Sequence, residues 1–235
     1  MAYSDDEIDM IVEMVNEVNE TNKKLYPNSL YGSSYRDVPI IKDILEIADA
    51  HTAPDEGLDS FTYYNWVAEH YEWMGRFSLA TKYYAKAIES FCRFSEYYKA
   101  EEPDYFDDLG RKYDDYLDDI RSILVSVGKY RNCYYEIEDD CMDVIETASQ
   151  VIPREEAEEA VNEGKKKVFI FHDPVETTDE YLDVIDSIEE LIDEEFGNDY
   201  EHGMCFGISA MKKSLLAECN IEWRSEQDLN IGMWD

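Results

Sequence analysis

From Ser60 to about Gln150, apolar residues in this 235-residue chain recur at the spacing of one helix face. An apolar stripe at i, i+3, i+4 and i+7 is stable in water only when it is covered by another element. Breaks near Gly75, Glu101 to Pro103 and Gly128 divide the run, which predicts five or six helices in succession. Short connections make consecutive helices antiparallel neighbours, so the expected fold is mainly α, built from antiparallel helical hairpins rather than around a sheet.

The flanking segments extend this reading. Ser4 with Glu7 three residues on is a capping box, and Ile8, Ile11, Val12, Val15 and Val18 continue it as an amphipathic helix. A loop rich in Pro, Gly and Ser from Tyr26 to Pro39 precedes a second helix carrying Ile40, Ile41, Ile44, Leu45 and Ala48. Beyond Pro153, "REEAEEAVNEG" predicts a charged helix ending at Gly164, and Val168 to Phe171, an apolar run bounded by Lys and by His-Asp-Pro, is the best strand candidate. Thr177 and Glu180 suggest a further capping box, Tyr181 to Phe196 a helix stopped by Gly197, and Ser209 to Cys219 a last helix before an extended "NIEW". A boundary near Gln150 is expected, with a helical domain over 1–150 and a smaller α or α+β unit over 151–235.

One stretch carries a more specific pattern. Ala68, Tyr71, Gly75, Phe77, Ala80, Tyr84 and Ala87, with Tyr64 and Val67 before them, place small residues where two helices cross and aromatics between them. This resembles the signature of a tetratricopeptide repeat over about Phe61 to Phe94. The match departs at Cys92, where the family closes its repeat with proline, and the neighbours at Phe106 to Tyr113 and at Gly128 to Cys133 do not combine at the standard repeat length. Either a stack of degenerate repeats or an ordinary helical bundle satisfies the spacing. The resemblance implies a partner-binding surface on the outward face of the first helix, at Thr62, Asn65, Glu69, Glu72 and Trp73.

Charge narrows the class of partner. The formal net charge is -35, and the excess is uneven: residues 51–100 carry 7 acidic and 5 basic side chains, residues 101–200 carry 32 and 9. Such a field repels phosphate backbones and anionic lipid, so direct nucleic-acid or membrane-surface binding is disfavoured and a basic or polar protein partner is favoured. In "YFDDLGRKYDDYLDDI", the offsets from Asp107 to Asp114 to Asp118 place carboxylates near a common helix face, which adds Asp114 and Asp118 to the candidate partner-binding residues. The helix Asp179 to Glu195 has the same design, with Asp183, Asp186, Glu189, Glu190, Asp193 and Glu194 opposite its apolar stripe. Repeated carboxylates on rigid helices also suit a decoy that occupies the basic site of a nucleic-acid-binding protein, an inhibitor or immunity-type role.

Chemistry is sparsely encoded. His172 and Asp173 in "FHDP" follow the strand candidate and suit a metal ligand or a base with its orienter, so an enzyme with a site near His172 is a third class. Asp173 before Pro174 is equally an ordinary turn start. His51, His70 and His202 stand apart, the five cysteines lack CxxC pairing, and neither phosphate-binding glycine loops nor metal-ligand spacings occur. No cofactor is implied. An acidic N-terminus, no long apolar run and unpaired cysteines together suggest the cytoplasm.

Overall fold

The computed structural model describes residues 3–25, 33–101, 112–197 and 204–230. Among them are ten α-helices: α1 (Asp5–Leu25), α2 (Val38–Ala50), α3 (Gly57–Trp73), α4 (Phe77–Glu101), α5 (Tyr113–Arg131), α6 (Met142–Ala148), α7 (Arg154–Lys165), α8 (Asp179–Phe196), α9 (Met204–Glu218) and α10 (Glu226–Leu229). No strand occurs among the described residues, and none of their helices is long and apolar enough to cross a membrane. The chain divides into two compact units, residues 1–131 with 139–167, and residues 132–138 with 168–235.

The first unit is organised by the packing of α3 on α4. Ala68, Ala80 and Ala87 are completely buried, and Tyr71 and Tyr84 nearly so, which lets the helices approach closely while aromatic rings fill the space around the contact. Gly57, at the start of α3, is packed so tightly that a Cβ there would collide with the Ser90 carbonyl on α4. Between the helices, Gly75 adopts φ +72°, and the Arg76 amide donates to the Tyr71 carbonyl at 2.8 Å. A six-to-one bond closed by a left-handed glycine reverses the chain within three residues. Phe61, Phe91 and Tyr116 then join α3, α4 and α5, with ring centroids 5.6–5.9 Å apart. Aromatic pairs in this range add about 0.5–1.5 kcal/mol beyond their burial.

The helix α5 packs on α7 by a different device. A Cβ on Gly128 would strike the Val161 carbonyl, and one on Gly164 would strike the Val125 carbonyl, so each helix presents a glycine to the other's backbone. This corrects two expectations. Gly128 does not break its helix, which runs through to Arg131, and Gly164 lies inside the last turn of α7. A helical interruption and a close-packing glycine look alike in sequence. Five or six helices were expected between Ser60 and Gln150; the described residues of that stretch form four, α3 to α6. Because α7 is bound to α5, the first unit also continues past the boundary expected near Gln150. Arg121 reinforces the pair, donating to Glu156 from Nε at 2.9 Å and from Nη2 at 2.7 Å, and Arg131 ties α5 to α6 through Asp143 at 2.6 and 3.0 Å.

In the second unit, Tyr181, Ile185, Ile188 and Ile192 of α8 bury against Leu216 of α9, Ile221 and Trp223. The strand expected at Val168–Phe171 is not formed. Phe169 is 69% exposed, and backbone pairing reduces to one parallel bridge between Tyr134 and His172, made by the Tyr135 amide at 2.9 Å and the His172 amide at 2.8 Å. The partner segment turns away at Glu136, whose φ is +61°, so the pairing has no second rung. The N-cap of α8 is Thr178 rather than Thr177, its hydroxyl accepting from the Tyr181 amide at 3.3 Å. The last long helix begins at Met204, ahead of the expected Ser209.

Gly128→Ala and Gly164→Ala should each destabilise the chain by about 1–3 kcal/mol in urea unfolding, since overpacking displaces backbone rather than a flexible side chain.

Candidate partner-binding cleft

A cleft of about 350 Å³ opens in the first unit between α3 and α5, with Tyr84 of α4 also on its lining. One wall is Asn65, Glu69, Glu72 and Trp73, spaced i, i+4, i+7 and i+8 along α3; the other is Asp119, Ser122, Ile123 and Ser126, spaced i, i+3, i+4 and i+7 along α5. Each set is a single helix face, brought opposite the other by the packing of both helices on α4.

Three carboxylates line this space with no lysine or arginine. Glu69 accepts from the Asn65 amide at 3.0 Å through Oε1. Burial pushes its carboxyl above the usual range; the Asn65 bond opposes this, and the negative charges of Glu72 and Asp119 add to it. Glu72 is held differently: Oε2 accepts from the Tyr84 hydroxyl at 2.7 Å and Oε1 from the Tyr130 hydroxyl at 2.6 Å. Tyr130 stacks on Phe77 at 4.4 Å, and Lys129 donates to its hydroxyl at 3.2 Å. Lys129 thus connects to Glu72 through a phenol. Burial, then the Glu72 charge and bond, push the Tyr84 hydroxyl far up, so it remains a donor.

Trp73 is 37% exposed at the rim. Behind it, His70 is 1% exposed and lies between two indoles, 3.8 Å from Trp66 and 4.7 Å from Trp73. Its Nδ1 donates to the Trp66 carbonyl at 2.9 Å, and burial lowers its pKa, holding it neutral.

The six candidate residues are thus placed in two groups. Asn65, Glu69, Glu72 and Trp73 share one wall, whereas Asp114 and Asp118 are exposed elsewhere on α5. Asp118 pairs with Arg121 at 2.7 Å. Asp107, with which they were expected to align, lies outside the described residues. The facing α5 residues Asp119, Ser122, Ile123 and Ser126 were not anticipated. Their one signal is a polar and small stripe interrupting the apolar pattern, which has no meaning until α3 is set opposite.

At "FHDP", Asp173 does not orient His172. Its Oδ1 accepts from the Val175 amide at 3.1 Å, and its Oδ2 accepts from the Arg224 amide at 2.7 Å and Nε at 3.0 Å. The His172 ring instead lies 3.5 Å from Glu176, whose other oxygen accepts from the Trp223 indole at 2.6 Å. Among the described residues, no group of three or more His, Cys, Asp or Glu is arranged to hold a metal. In comparisons with family models, curated proteins and solved structures, the chain matches none.

Tyr84→Phe and Tyr130→Phe each remove one donor from Glu72 and should cost about 1.5–3 kcal/mol in urea unfolding, the range for hydrogen bonds to a charged group.

Proposed function

We propose that the chain is a non-enzymatic protein-binding module whose cleft between α3 and α5 takes a basic segment of a partner. The observation that carries this reading is an acid-lined cleft that contains no cation of its own among the residues lining it. Its carboxylates are spread along two helices rather than gathered into a metal-binding group, which suits an ammonium or guanidinium on an aliphatic stem. Trp73 at the rim offers an aromatic face to such a cation. A volume of about 350 Å³ suits one or two side chains and is small for a folded surface.

The tetratricopeptide-like arrangement belongs to the same proposal. On this reading α3 and α4 are one helical hairpin, α5 and α7 a second with α6 inserted, and the first helices of both face the cleft. What a tetratricopeptide resemblance implies is partner binding on that face, and this supports the reading. The acidic surface beyond the cleft acts earlier, concentrating basic partners by long-range attraction that weakens once the Debye length falls below about 8 Å.

Titrating the full chain with fluorescently labelled Lys/Arg-rich peptides tests the proposal by anisotropy. Glu69→Gln should weaken binding about tenfold, near 1.4 kcal/mol, while Asp114→Asn, on the exposed face of α5, should leave it unchanged. Because the Glu69 carboxyl titrates above the ordinary 4.5, its charge is lost as pH falls through that raised value. Affinity should therefore drop on acidification, and peptide binding near that pH should release a proton. Equal affinities for the two variants, with no pH dependence, would remove the cleft as the binding site.

A further inference from the structure

A second constellation in the first unit lies where α1 begins. His51, just after α2, directs Nδ1 to Glu56 Oε1 at 2.9 Å and Nε2 to Glu7 Oε1 at 3.2 Å. Tyr3 stacks over the same imidazole at 3.8 Å with the planes 17° apart, and its hydroxyl is 3.1 Å from Ser60 Oγ on α3. Tyr63 of α3 packs edge-on against Tyr3 at 5.3 Å. Tyr3 is 6% exposed and Glu56 3%. Both carboxylates have their remaining oxygen engaged: Glu56 Oε2 accepts from the Ala53 amide at 2.9 Å, and Glu7 Oε2 from the Ser4 amide at 2.8 Å.

An ionised carboxylate only accepts, so two of them facing one imidazole require a proton on each ring nitrogen. The geometry is that of an imidazolium. A neutral ring in the same place turns one lone pair onto a carboxylate oxygen about 3 Å away. We propose that Tyr3, Glu7, His51 and Glu56 form a pH-gated latch, which docks the start of α1 on α3 while His51 is protonated and releases it when that proton is lost.

The groups facing His51 all favour the charged ring. They are Glu7 on α1, Glu56 in the turn before α3, and Asp59 on α3, whose charge acts on it at longer range. Burial works against the imidazolium, yet the two carboxylates outweigh it and raise the His51 pKa above its ordinary 6.5. Glu7 is pushed down to about 2, chiefly by its bonds to Ser4 and then by His51. Glu56 is also lowered: burial raises it, and this is outweighed by bonds that include those from His51 and the Ala53 amide. The Tyr3 and Tyr63 phenols, both pushed up to about 12, stay neutral over the range that matters. The signs follow. A raised histidine stabilises the docked state below its unfolded pKa and loses that contribution as pH rises through the folded value; the lowered carboxylates lose theirs only as pH falls through their folded values. The latch is closed between these limits and opens on the alkaline side.

Two measurements on the full chain test this. NMR titration of the His51 ring should give a midpoint above 6.5. Amide exchange over residues 5–12, corrected for intrinsic rates, should lose protection across the same midpoint, by about tenfold for each pH unit separating docked from released His51, with α4 unaffected. Glu7→Gln, at the outer side of the latch, should lower both the midpoint and the pH of release; Glu56→Gln should do so more strongly, and the half-buried Glu7 variant decides the matter if the Glu56 variant does not fold. A His51 midpoint at or below 6.5, or α1 protection constant through the titration, would overturn the latch.

Discussion

The first unit depends on how closely its helices can approach. Between α3 and α4 the approach is set by Ala68, Ala80, Ala87 and Gly57; between α5 and α7 it is set by Gly128 and Gly164. Interiors are packed to nearly crystalline density, so even one added Cβ at a backbone contact displaces a whole helix. With both contacts tight, the polar faces of α3 and α5 are brought opposite each other, and the cleft is what remains between two faces that do not close.

That cleft combines two ways of holding a carboxylate. Glu72 is satisfied by two phenols and serves the scaffold: its charge is fixed by donors that are themselves packed, Tyr130 against Phe77 and Tyr84 within the α3–α4 contact. Glu69 accepts from the Asn65 side-chain amide and is burdened by burial and by two like charges. A cation brought from outside would relieve that burden, and the proposed binding of a basic segment rests on this. Desolvation makes the empty site less comfortable and the filled one more specific.

Elements with a strong period were legible in the sequence; relations between elements were not. The Ser4–Glu7 capping box, the helices α1, α2 and α8, the long α4 and the stop at Gly197 follow from local chemistry, although Val12 and Leu191, read as members of the α1 and α8 stripes, are exposed. Gly128 was misread because a glycine's role depends on what approaches it, here a carbonyl from a helix 33 positions later in the chain, at Val161. Val168 to Phe171 has strand composition, yet a strand needs a partner in register, and among the described residues the pairing beside it is the single bridge between Tyr134 and His172. For the same reason the α3 wall of the cleft was visible as a helix face in the repeat-like stretch, whereas the α5 wall was not. Ser122 and Ser126 in an apolar helix carry no message until the opposite surface is known.

The three described histidines show why residue type alone says little about chemistry. His51 sits between two carboxylates that favour its charged form; His70 sits between two indoles with a carbonyl acceptor, and its burial favours the neutral form; His172 joins a backbone bridge beside Glu176. Each state is set by what surrounds the ring. The motif that draws attention in sequence, His172–Asp173, has its aspartate committed to the Val175 amide and to Arg224. His51, by contrast, lies in a loop with no motif at all, and its partners Glu7 and Glu56 come from separate segments. Acids from α1 and from the turn before α3 meet on one imidazole only once the chain is folded, which is why the proposed latch has no signature in the sequence.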